Sequence, residues 1–91
     1  MIMKFIHVCH YIRDLDRVNE LRPAHRQYMA KLDSENKLWA AGPFADGTGA
    51  LFIYEARDLN AAQNVLHSDP YFTGGVLQKS EVIPWAPALY N

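Results

Sequence analysis

No second cysteine accompanies Cys9 in these 91 residues. That excludes an internal disulfide framework and the paired-cysteine spacings of zinc sites and redox motifs. Nor is there an excess of either charge. Nine Lys and Arg stand against ten Asp and Glu, a formal net charge of −1. No basic stripe runs along the chain, so nucleic acid is not an expected partner. Apolar runs are short, and nothing approaches the ~20 residues that a membrane span needs. The first residues are unlike a signal peptide, with only Lys4 ahead of an apolar run that His7 and His10 interrupt. These absences lead to the expectation of a soluble protein that stays in the cytoplasm and has no membrane partner. What remains is ordinary globular material, 49% hydrophobic and 21% charged, in a length that makes one domain over residues 1–91. A chain of this size buries roughly 60–65% of the surface its unfolded form exposes, enough for one core.

Met3 to Ile12, "MKFIHVCHYI", is rich in β-branched and aromatic residues and reads as a strand. Both of its faces are mostly apolar, so it is expected to be central and covered on both sides. Arg13 to Glu20 carries five charges and reads as a solvated connection or a short helical turn. A helix follows from Pro23, as its first position, to about Glu35. Asn36 is its expected stop, because asparagine tolerates the left-handed conformation. Leu38 to Phe44 and Ala50 to Ala56 are strands around the turn cluster "ADGTG". Asp58 caps a second helix to His67, with Leu59, Ala62, Gln63 and Leu66 as its inward stripe. Ser68 to Gly75 is a turn or a short extra helix. Val76 to Ala86 is a last strand whose polar middle, Gln78 to Glu81, suits a sheet edge. The tail from Pro87 is left unassigned. The order β-α-β-β-α-β is the ferredoxin-like arrangement, an α+β fold with two helices on one face of a four-stranded antiparallel sheet. The other face would then be bare and apolar, beyond what a monomer normally exposes, so a homodimer packed through the open sheet face is expected.

Within the first helix, steps of three and four residues join Leu21, His25, Tyr28, Met29 and Leu32. His25 therefore shares the apolar face, either as a core histidine bonded to a carbonyl or as part of a site. The second candidate is Asp69 in "HSDPY". Pro70 biases it toward extended geometry, and "SDP" is also an ordinary helix start with Asp as N-cap. Because the two helices run roughly antiparallel in this topology, His25 and the segment after His67 can be neighbours. A carboxylate beside an imidazole orients the ring and fixes its tautomer, and such a pair can take a proton from one atom and return it to another. His7 shares a face with Phe5 and Cys9 and would line a cavity if that face is the open one. His67 could be drawn with His25 and Asp69 around a metal, but no H-x-x-x-H or H-x-H spacing supports it. Cys9 reads as a buried small hydrophobe. Gly42 allows close backbone approach to a ligand, although a plain strand-ending turn explains it as well. "ADGTG" lacks the lysine and spacing of a phosphate loop.

"RPAH" (Arg22 to His25), "AAGPF" (Ala40 to Phe44) and "DLNAAQNVLHSDPYFTGGV" (Asp58 to Val76) occur together in an order that resembles the YCII-related, or YciI-like, family over nearly the whole chain. No single motif is specific; their order and spacing are. The resemblance implies a ferredoxin-like dimeric α+β barrel and a His-Asp pair whose positions match His25 and Asp69 here. One branch of the family eliminates chloride from a chlorinated hydroxyquinol. The chain departs from the pattern at Asn36-Lys37, where many members carry a glycine, and at His10 to Arg13, which has no family role and could shape a different pocket.

Together these readings lead to a small-molecule enzyme of lyase or isomerase type, dehydrochlorinase-like, acting on an aromatic or enolic compound. His25 is the general base or acid and Asp69 orients it. Arg22, Gly42, Pro43, Tyr71 and His7 are the expected substrate-binding residues, and neither cofactor nor metal is expected. A non-catalytic ligand-binding or accessory module is the alternative from another class. A cofactor-free monooxygenase rests on fold analogy alone.

Overall fold

A computed structural model describes residues 1–89 of the chain. The last two of residues 1–91, part of the expected single domain, lie outside the described residues. The element order is β1 (Met3–Tyr11), α1 (Leu15–Ser34), β2 (Leu38–Pro43), β3 (Gly49–Ala56), α2 (Leu59–His67), α3 (Pro70–Thr73) and β4 (Leu77–Trp85). The four strands form one antiparallel sheet in the order β2-β3-β1-β4. This is the ferredoxin-like α+β arrangement, with β1 and β3 in the middle and the polar β4 at an edge. No helix among the described residues is long and apolar enough to cross a membrane.

The pleat sends alternate residues of β1 to opposite faces. Phe5, His7 and Cys9 are buried, and they meet Ala50, Phe52, Tyr54 and Ala56 of β3 under the helices. The opposite face carries Ile6 between Ile53 and Ile83, and Val8 beside Leu51. Both central strands are therefore apolar on both sides, but only one side is covered by the chain itself. His7 belongs to the covered side. The alternative in which its face is the open one is corrected here.

The first helix also differs from expectation. It starts at Leu15, not at Pro23, and Asp14 is its N-cap, accepting from the Arg17 N–H at 3.2 Å. Val18, fully buried, extends the stripe of Leu21 and His25 by one turn, and the charges of residues 13–20 lie on the solvent side. Pro23 sits inside the helix. It lacks the N–H that would reach the carbonyl of Asn19, but both residues are exposed, so solvent can hydrate that carbonyl. The helix stops as expected, with Asn36 in the left-handed region at φ 58°. In α2 the buried residues are Ala62, Val65 and Leu66. Leu59 and Gln63 are exposed, which corrects the inward stripe by a rotation of about one residue.

Candidate functional site

Five pieces of backbone converge on one cleft. The middle of α1 supplies Arg22, His25, Arg26 and Met29. The end of β1 supplies Tyr11, the end of β2 and the turn after it supply Gly42, Pro43 and Phe44, β3 supplies Ala50 and Phe52, and α3 supplies Tyr71. The space they enclose is about 500 Å³, room for a small ligand. The turn is tight because Gly47 takes φ 75° and Asp46 accepts from both the N–H and the hydroxyl of Thr48.

At the inner end of the cleft, His25 Nδ1 lies 2.9 Å and 3.1 Å from the two carboxylate oxygens of Asp69. Asp69 is 1% exposed and is held twice over. It is the N-cap of α3, with extended backbone set by the proline that follows, and its Oδ1 accepts from the Tyr71 N–H at 2.9 Å. The capping role and the histidine contact thus use one carboxylate. An ionised carboxylate only accepts, so Nδ1 carries the hydrogen and Nε2 of the neutral ring keeps its lone pair. Nε2 has no bonding partner among the described residues, and no buried side-chain nitrogen or oxygen there lacks one. Nε2 therefore reaches the solvent of the cleft.

Packing fixes the imidazole plane. Tyr71 stacks on it at 3.9 Å with 9° between planes, and Phe52 meets it edge-on at 5.7 Å. Arg22 Nε donates to the Tyr71 hydroxyl at 3.2 Å, which links the cleft rim to the ring that supports His25. This bond favours the charged guanidinium and raises the Arg22 pKa further.

Of the residues expected to bind substrate, Arg22, Gly42, Pro43 and Tyr71 line the cleft, and His7 does not. His7 is stacked behind Phe52 at 5.0 Å. Its Nδ1 shares a hydrogen bond with the Tyr54 hydroxyl at 2.8 Å, and its Nε2 lies 3.3 Å from Ser80 Oγ. Burial is the main cause that pulls its pKa down to about 4; the Asp69 carboxylate opposes this and His25 adds to it. His7 is a neutral core ring. Burial likewise pushes Cys9 up to about 11, so it remains a thiol. His67 packs against Phe72 at 4.8 Å, on the exposed side of α2. Sequence reading missed Arg26, Met29, Phe44 and Phe52 as cleft residues. For Arg26 a signal was present, because it stands one helical turn beyond Arg22 and next to His25.

The YCII-related domain family matches residues 3–86. The chain belongs to that family. This YCII-related protein is 33% identical to YciI of Escherichia coli over 81 residues, which cover 78% of this chain and 83% of YciI. It is 35% identical to YjpA of Bacillus subtilis over 51 residues, or 56% of this chain, and spans only 60% of YjpA. Among solved structures it resembles 5-chloro-2-hydroxyhydroquinone dehydrochlorinase (TftG) from Burkholderia phenoliruptrix, in complex with 2,5-dihydroxybenzoquinone. The TM-score is 0.82 at 22% identity, covering 92% of this chain and 94% of that one. At that identity the likeness carries the fold, and the fold is one on which a small-molecule enzyme is built.

Proposed function

We propose that this YCII-related protein is a cofactor-free lyase or isomerase in which His25 and Asp69 form an acid/base pair, acting on a small aromatic or enolic compound. The observation that carries this reading is the His25 Nδ1–Asp69 contact of 2.9 Å at the inner end of the cleft, with Nε2 left open to a ligand. Nε2 takes a proton from a hydroxyl or an enolisable carbon of the substrate. The electron pair released moves through the conjugated system. It either expels a leaving group, so that the net change is loss of HX, or collects a proton at another atom, which is an isomerisation. The imidazolium formed faces Asp69, whose negative charge stabilises it until the proton passes to product or solvent. Neither outcome changes the number of electrons in the reacting system, so the chemistry calls for no redox partner.

Support for a leaving-group reaction comes from the shared fold of the dehydrochlorinase. The test is direct. The protein is incubated with 5-chloro-2-hydroxyhydroquinone, and with a panel of enolisable ring compounds in D2O. Chloride release or deuterium incorporation above the buffer rate, lost in His25→Asn, is the expected result. Activity that survives in His25→Asn, or none with any compound, contradicts the reading.

The same proposal includes a homodimer formed through the open sheet face. Ile83 and Trp39 are 42% and 40% exposed, and Ile6, Ile53 and Ile83 form a cross-strand row there. A sedimentation mass near 10.4 kDa at micromolar concentration would contradict it.

A further inference from the structure

The cleft has a charge that the acid/base pair does not explain. Arg22 and Arg26 stand one turn apart on α1, and both line it. Arg22 uses Nε to bond a neutral phenol oxygen, which leaves its terminal nitrogens available. Arg26 makes no hydrogen bond or ion pair with any described residue and is exposed. No Asp or Glu is among the lining residues. Two carboxylates adjoin the lining residues, and both are engaged elsewhere. Asp69 gives both oxygens to His25 and one of them to the Tyr71 N–H, and Asp46 holds Thr48. Elsewhere among the described residues, Lys4, Arg17 and Lys37 each have a carboxylate partner, while Arg13, Lys31, Arg57 and Lys79 stand singly; what sets Arg22 and Arg26 apart is that they share one cleft. The residues that line the cleft therefore carry two guanidiniums and no carboxylate, with Asp69 behind His25 and Asp46 in the adjoining turn as countercharges that neither arginine contacts.

We propose that the substrate carries a carboxylate, and that Arg22 and Arg26 bind it and set the specificity of the site. The substrate-class assignment rests on the acid/base reading above. Guanidinium groups match a planar two-oxygen anion in a forked geometry. A phosphate is the poorer fit, because both arginines project from mid-helix and the N–H groups of Phe44, Gly47 and Thr48 in the facing turn are taken up by bonds within it. The remaining walls are flat or apolar, with Phe52, Phe44, Pro43 and Met29. At Gly42 a Cβ would meet no atom within 4 Å, so that wall is open. These surfaces suit a conjugated ring or enol. With the carboxylate on the arginines, the ring lies along Phe52 toward Nε2 of His25. Negative charge that develops as Nε2 removes a proton then forms in a cleft lined by two guanidiniums, of which Arg22 is held by Tyr71.

The probes are 2,5-dihydroxybenzoate, hydroquinone as the same ring without the carboxylate, and inorganic phosphate. Each is titrated calorimetrically into the wild-type protein, Arg26→Glu and His25→Asn. A charge-assisted pair favours the carboxylate probe by roughly 10- to 100-fold, and the preference shrinks with added salt. Arg26→Glu, on an exposed position, should reduce it to about three-fold or less, if the charge pairing of a rim cation is what sets it. His25→Asn should keep it. That variant separates the two proposals: preference kept with no turnover anywhere sinks the acid/base reading alone. Equal affinity for the two ring probes overturns the carboxylate assignment. So does a preference unchanged in Arg26→Glu, phosphate binding as tightly as the benzoate, or no binding of any probe at millimolar concentration.

Discussion

Acidification should destabilise this protein through His7. The ring is 0% exposed, sandwiched near Phe52 and Tyr54, with both nitrogens engaged by hydroxyls. In the unfolded chain it has the ordinary value of 6.5, and in the fold burial lowers this to about 4. Between those values the unfolded chain binds a proton that the native protein refuses. Stability from the neutral ring is thus fully present above about pH 6.5 and is lost as pH falls toward about 4. At about 1.4 kcal/mol for each pH unit, the gap amounts to about 3 kcal/mol, a large share of the roughly 5–15 kcal/mol that holds a domain together. Urea unfolding of the wild type and of His7→Asn, followed from neutral pH to about pH 4, isolates this contribution. The asparagine amide reaches the place of Nδ1 and can keep the Tyr54 bond, but it does not titrate. Its absolute stability will be lower because the ring is gone; the difference in slope is what counts. The wild type should lose about 3 kcal/mol more than the variant over this range. Parallel curves would refute the assignment of a buried neutral ring.

Gly49→Ala should cost at least about 2 kcal/mol in thermal or urea unfolding, because its Cβ would strike the backbone carbonyl of Cys9 on the neighbouring strand; an unchanged midpoint would show that the β1–β3 register is not as described. Tyr28→Phe should cost about 1–2 kcal/mol. The Tyr28 hydroxyl donates to the Val65 carbonyl at 2.6 Å, an acceptor in the last turn of α2 that has no helical donor to use, and a stability within error of wild type would contradict that bond.

The strands were legible because β-branched and aromatic runs are punctuated by Gly, Pro and Asn, and the antiparallel helix pair followed from their order. From that pair came the nearness of His25 and Asp69, which are 44 positions apart. The start of α1 was obscured because Pro23 looks like a first helical residue, while its real tolerance comes from lying on the wet side of a longer helix. The face of His7 was ambiguous for a physical reason. Both sides of β1 are apolar, one to meet the helices and one as the open sheet face, so alternation carries no sign. Arg26 escaped notice because an exposed arginine on a helix is unremarkable until the β2–β3 turn is folded opposite it.

The proton inventory of the His25 ring is the measurement that bears most directly on the acid/base assignment. Nitrogen-15 NMR of the ring, in the wild type and in Asp69→Asn, reports which nitrogen holds the hydrogen in the neutral form. The contact with Asp69 predicts an Nδ1–H and a bare Nε2, and the proposed ligand class predicts that the Nε2 resonance moves when 2,5-dihydroxybenzoate is added. A neutral ring protonated at Nε2, with an Nε2 signal indifferent to the ligand, would leave no base facing the cleft and would contradict the account.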